Sequence, residues 1–267
     1  MTGALLEPVR RSPYGLATVV AGVDGTATGE LVLERAMIEA DLRGWHLRLL
    51  HVQPEQDAPG RDEVRDRGAR LLERMTDQAH AASAVVAVTS RLLVGPVAER
   101  LLSAAGAADL LVVGGRPDAE AAGPGVAVRV AARHGGPVLV VRPPEGRPGP
   151  ARSGGGSRKP VVLGVVDGAG DAAAVTEFAL GEARLRGCDA VQLHTGAARG
   201  EWDEAAGDVV VRHRLLAGDP AEALVRASAG ACAVVLGRRG PSGRGRLLGP
   251  VGDALVRHAA CPVFLVG

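Results

Sequence analysis

The residues best suited to chemistry stand near the carboxyl end. Gly237-Arg238-Arg239-Gly240 leaves the apolar run Ala233–Leu236, and Gly249-Pro250 opens an amphipathic stretch that predicts a helix over 250–258. Glycines let backbone N–H groups approach and turn toward an anion, and the positive end of the following helix favours negative charge, so this spacing points to phosphate. Arg238, Arg239, Arg244 and Arg246 add guanidinium groups with no carboxylate among them, which favours a polyphosphate. The same four also read as a solvated loop of an arginine-rich protein, and both readings stand. Pro250 offers neither hydroxyl nor N–H, although its fixed φ suits a first helical position.

Little else suggests catalysis. No nucleophile–base pair or metal-ligand cluster is legible, so the chain reads as a non-enzyme. Lys159 is the one lysine and stands in a Gly/Ser/Pro-rich stretch, which removes a Walker-type or Schiff-base lysine elsewhere. His51 and His194 end apolar runs with no carboxylate or cysteine at ligand spacing. They read as core or rim histidines. His134 and His258 fall near expected helix C-termini, where a cation suits the dipole. Cys188, Cys232 and Cys261 border apolar runs without metal spacing, the pattern of reduced, packed thiols in a cytoplasmic protein.

The totals narrow the partners. A formal net charge of +1 gives no general pull toward nucleic acid or an anionic membrane, and 2% aromatic residues leave little for base stacking. The first apolar run, Leu16–Val23, is too short for a membrane span and follows Glu7, Arg10 and Arg11. A cytoplasmic location is the expectation.

Aligned with itself, the chain shows two copies of one unit. Thr18–Gly25 matches Val161–Gly168 at an offset of 143 (167 − 24), as Leu50-His51 matches Leu193-His194. Gly95, Ala98-Glu99, Leu101 and Gly114 match Gly218, Ala221-Glu222, Leu224 and Gly237 at an offset of 123, and Pro137-Val138 matches Pro262-Val263 at 125. The offset shrinks between the second and third strands. There the first copy has helical apolar spacing at Val64, Leu71, Leu72 and Met75, whereas the second has only residues 196–208, near the minimum for a parallel crossover. Most of that helix is expected to be missing, with Trp202 packing in its place.

The expected strands are 18–23, 46–52, 84–90, 109–114 and 137–141, then 161–166, 190–194, 209–214, 232–236 and 262–266. The expected helices are 28–43, 62–82, 96–106 and 125–134, then 172–186, 220–229 and 250–258. Near-continuous Val/Leu strands alternating with helices mean an α/β fold: two tandem doubly wound parallel-sheet, Rossmann-like domains, the second lacking most of one helix. The domains are read as 1–145 and 160–267, joined by a Gly/Pro/Ser-rich linker at 146–159.

Gly237, Gly240, Gly249 and the Cys261-Pro262-Val263 strand entry resemble the nucleotide loop of the universal stress protein family, which runs Gly-x2-Gly-x9-Gly-Ser/Thr. The whole chain from Leu16 to Val266 is similar to tandem members of actinobacterial type. Here eight residues separate Gly240 from Gly249, one short of the family spacing, and Pro250 replaces the Ser/Thr. The resemblance implies a stress-response regulator that binds ATP, with Mg, or another adenine nucleotide in its second domain. The implied nucleotide-binding set is Asp167, Gly237, Arg238, Arg239, Gly240, Gly249 and Val251. Slow ATP hydrolysis is compatible with it. Asp24 and Asp167 occupy the family's position after the first strand, or simply turn the chain and cap the next helix. The first copy's loop, Gly114–Gly125, has Pro117 in place of a glycine and acids at Asp118 and Glu120, so it is expected to be ligand-free. The family pairs last strands across a dimer, which here implies an intramolecular pseudo-dimer through 138–141 and 263–266 and leaves a homodimer open. A nucleotide-independent interaction or oligomerisation module, with both sites decayed, is the alternative.

Overall fold

A computed structural model describes residues 17–53, 55, 61–107, 109–115, 125–143, 159–164, 172–195, 200–238 and 248–267. The first half runs β1 (Thr18–Gly22), α1 (Ala27–Arg43), β2 (His46–Gln53), α2 (Arg61–Ala82), β3 (Val88–Val94), α3 (Val97–Ala104), β4 (Leu110–Gly114), α4 (Val126–Arg133) and β5 (Val138–Val141). The second runs β6 (Val161–Gly164), α5 (Ala172–Arg186), β7 (Ala190–Thr195), β8 (Gly200–Ala206), β9 (Val209–Leu216), α6 (Pro220–Ser228), β10 (Ala233–Gly237), α7 (Pro250–His258) and β11 (Val263–Val266).

The strands form one sheet in the order β3-β2-β1-β4-β5-β11-β10-β6-β7-β9-β8. Each half is parallel apart from the β8–β9 pair, and the halves meet where β5 and β11 run antiparallel, Phe264 opposite Leu139. Helices α1, α2 and α5 contribute to the core on one face, and α3, α4, α6 and α7 to the core on the other. Covered on both sides, β1, β4, β5, β6, β10 and β11 can be apolar along nearly their whole length.

The repeat has a conformational basis. Gly44 and Gly187 end α1 and α5 in the left-handed region at φ 63° and 59°, and the residue after each returns its N–H to a helix carbonyl, Trp45 to Ala40 and Cys188 to Ala183. This is the cap geometry that favours glycine.

The halves are also locked by charge. Glu39 on α1 and Glu182 on α5, both buried, each bind the arginine one turn on in their own helix and the corresponding arginine of the other half: Glu39 with Arg43 and Arg186, Glu182 with Arg186 and Arg43. Both guanidinium groups lie over the Phe264 ring, at 5.9 and 5.5 Å from its centroid. Glu39 also faces Arg35 at 3.2 Å, so each carboxylate meets at least two cations and its desolvation is offset where a single pairing would leave lone pairs unmet.

Two expectations need correction. The third strand starts at Val88 rather than residue 84: Ala84-Val85-Val86 looks like a strand but bends, with Val86 buried and Val85 87% exposed. In the second half, the segment 196–208 does more than lose a helix. It supplies β8, antiparallel to β9 on the outer edge of the sheet, and β9 extends to Leu216, beyond the expected 214. The acids Glu201, Asp203 and Glu204 around Trp202 suit an exposed edge, where charge discourages pairing with another chain.

Candidate functional site

In each half the winding reverses beside the first strand. β6 pairs with β10 on one side and β7 on the other, so the crevice at the carboxyl ends of β6 and β10 is a switch point, the place where open α/β sheets take ligands. Gly164 lies opposite Leu236, and Gly237 ends β10 opposite Val266. Two segments leave this edge: the one carrying Asp167 and the one carrying Arg239 and Gly240. Those three residues lie outside the described residues, as do Arg244 and Arg246.

Beyond them the chain returns at Gly249, the N-cap of α7 at φ −65° and ψ 169°, with no side-chain cap and Pro250 in the first turn. The intrahelical bonding begins with Asp253 N–H to the Gly249 carbonyl. The amides of Val251 and Gly252 therefore have no intrahelical acceptor, and they point out of a positive helix end. Asp253 in that first turn is held by Arg257 at 2.8 and 3.2 Å, which offsets its charge against an incoming anion.

Arg238 departs from its expected role. It is buried and donates to the carbonyls of His134 and Gly136 in the first half. The cause is electrostatic: the end of α4 presents carbonyls with no helical donor beyond them, and a guanidinium with planar, divergent N–H groups satisfies two at once. Arg142 does the reverse, donating to Val256 of α7 at 3.0 Å. Arg238 is thus a junction residue.

The first half differs at its own edge. Asp24 accepts from the Thr26 amide at 3.0 Å and its hydroxyl at 2.5 Å, and Thr26 in turn caps α1 by accepting from Gly29 N–H. Asp24 braces a helix cap, the turn-forming reading of its Asp-Gly. A Cβ on Gly114 would come within 2.6 Å of the Thr28 methyl, so α1 packs directly over the end of β4. The loop carrying Pro117, Asp118 and Glu120 lies outside the described residues.

The histidines are structural. His51 Nδ1 lies 2.9 Å from the Val23 carbonyl, and His134 Nε2 3.1 Å from that of Asp109, with burial holding the His134 pKa below its usual value. His194 Nε2 meets His213 Nδ1 at 3.0 Å. His213, which periodicity did not single out, also faces the Glu204 carboxylate at 3.2 Å, near enough for an ion pair when protonated but not aligned as a hydrogen bond. Burial raises the Cys232 and Cys261 thiols to about 11 and about 12, which makes them poor nucleophiles. Among the described residues no three His, Cys, Asp or Glu gather as a metal site, and no helix is long and apolar enough to cross a membrane.

Two tandem doubly wound units sharing one sheet, each with a glycine at the start of the helix after its fourth strand, define a tandem α/β protein of Rossmann-like fold. The universal stress protein family model matches residues 16–142 and 195–267, and the chain belongs to that family. It is 27% identical to the universal stress protein Rv1996 of Mycobacterium tuberculosis, over 92% of this chain and 94% of that one. It is 26% identical to a universal stress protein of Mycolicibacterium smegmatis, over 93% and 96%. A crystal structure of a universal stress protein from Archaeoglobus fulgidus superposes with a TM-score of 0.70 at 17% identity, covering 93% of this chain and 95% of that one.

Proposed function

We propose that this universal stress protein is a stress-response regulator that binds an adenine nucleotide, as its Mg complex, in the second half only. The observation that carries the reading is the start of α7. Gly249 leaves the helix without a side-chain cap, as Gly125 does for α4, but α7 follows a glycine- and arginine-rich segment at the β6–β10 switch point, whereas α4 follows one with Pro117, Asp118 and Glu120. Phosphate would be held by the amides of Val251 and Gly252, with Arg239 and Gly240 from the preceding segment and Asp167 toward the nucleoside. Arg238 is left out of this reading because its guanidinium already donates to the His134 and Gly136 carbonyls. The grip is therefore mostly main-chain, and modest. No catalytic step is assigned.

Calorimetry of the full chain with MgATP, ADP and AMP tests this, together with Gly249→Asp. The backbone at 249 is ordinary extended geometry, so an aspartate fits, caps the helix and sets a carboxylate where phosphate belongs. The expected result is saturable binding that Gly249→Asp abolishes while thermal stability holds or rises. Flat titrations with all three nucleotides would instead favour a nucleotide-independent interaction module.

A further inference from the structure

The loss of one helix opens a second concave surface, on the opposite flank from the junction. In the first half, α2 covers the outer part of the sheet: Leu33 and Met37 of α1 and Leu49 of β2 share a core with Leu71, Leu72 and Met75 of α2. The residues 143 positions later are Thr176, Leu180 and Gln192. These line an open hollow of about 540 Å³ together with Ala172, Ala173, Glu177 and Arg184. A core merely left open would keep its leucines. This one has been resurfaced with a hydroxyl and an amide.

The floor continues across three strands. Gln192, His213 and Trp202 stand in register on β7, β9 and β8, so all three rise from the α5 side of the sheet. Trp202 lies parallel to His213, with an interplanar angle of 1° and centroids 4.7 Å apart. His213 is 7% exposed beneath it and braced by His194, whereas Trp202 is 49% exposed. The result is an indole platform held flat by two imidazoles, with half of its surface facing outward.

Charge selects the ligand. Arg184 is spent on Asp208 at 2.9 Å and the Ala206 carbonyl at 3.1 Å, and Glu201 is paired with Arg214 at 3.3 Å. Glu204 faces only a histidine, and Glu177 has no ion-pair partner among the described residues. The uncompensated charge on this side of the sheet is negative: Glu177 at the hollow, and Glu204 two residues from the exposed Trp202 indole on the same strand, a surrounding that favours cations.

We propose that this α5 groove is a second binding site, distinct from the switch point, for a small organic cation: an ammonium group at Glu177 with its hydrocarbon or ring laid on Leu180 and directed along the Gln192–His213 floor toward Trp202. The probe is 2-phenylethylamine, titrated into the full chain carrying Trp45→Phe so that Trp202 is the sole tryptophan, with 2-phenylethanol and phenylacetate as shape-matched controls. The amine gives a saturable fluorescence change and calorimetric isotherm, about tenfold tighter than the alcohol, and phenylacetate gives none. Glu177→Gln weakens the amine about fivefold and leaves the MgATP isotherm unaltered. Three results would overturn the site: a signal that rises linearly without saturating, equal affinity for amine and alcohol, or an amine isotherm indifferent to Glu177→Gln.

Discussion

The two halves began as one plan and differ most where each leaves its second strand. In the first, a 22-residue helix returns over the sheet and buries Leu49 under Met75; in the second, a short strand runs along the edge and leaves Gln192 facing an open hollow. The carboxyl edges diverge in parallel. Both halves start the helix after the fourth strand at a glycine without a side-chain cap, Gly125 of α4 and Gly249 of α7, but Asp24 and Thr28 fill the first edge with a cap and a close contact. The first copy covers its outer flank with a helix, and the second leaves that flank open. What remains shared is the seam, where Glu39/Arg43 and Glu182/Arg186 repeat each other across the antiparallel β5–β11 pair.

The seam should give the largest effect. Glu39→Gln leaves Arg43 and Arg186 sharing the single carboxylate of Glu182 in a buried site and removes the carboxylate facing Arg35, and urea unfolding should show a loss of about 3–5 kcal/mol. Glu182→Gln should cost a similar amount, and the double variant more than the sum, since each single variant leaves one carboxylate to both arginines and the double leaves none. A loss below about 1 kcal/mol would mean that the network is solvated and the halves are held by the strands alone. Next comes the helix that only one half has. Met75→Ala should cost about 2–5 kcal/mol, because Met75 is fully buried, whereas Trp202→Ala in the replacing strand should cost well under half of that. Equal costs would erase the distinction between a core helix and an edge strand.

Much of this plan was legible in the sequence. The repeat, its offsets and nearly every helix follow from apolar periodicity and from glycines that mark caps, and Gly44 and Gly187 show the physical reason. The third strand was misplaced because Val85 and Val86 share a residue type but not an environment, and a short run has no period long enough to tell them apart. β8 was missed because Glu201, Asp203 and Glu204 are poor strand formers, and pairing with β9 overrides that preference. Arg238 was assigned to phosphate because a sequence places it beside glycines; only the fold brings two carbonyls from 102 and 104 residues away to its guanidinium. The Glu39/Glu182 and Arg43/Arg186 pairs stood at the same offset as the strands, a signal available in the repeat itself.

Arg238 provides the third test. Arg238→Ala leaves the His134 and Gly136 carbonyls without their donor and should cost about 1–3 kcal/mol, with MgATP affinity within about twofold of the parent. A collapse of affinity at preserved stability would return Arg238 to the phosphate. The smallest effect is on pH. Burial lowers the His134 pKa in the folded state, so the unfolded chain takes up the proton first, and stability should fall as pH drops below the ordinary histidine value of about 6.5. His134→Gln should flatten that slope in urea titrations across the range, and an unchanged slope would assign it to other groups.

The central claim is that the same fold holds nucleotide at one switch point and not at the other. Amide-resolved hydrogen exchange of the full chain with and without MgATP reads both edges at once. Slower exchange at Val251 and Gly252 of α7, with Val126 and Ala127 of α4 unaffected, is the predicted result; equal protection at both helix starts, or at α4 alone, would contradict it.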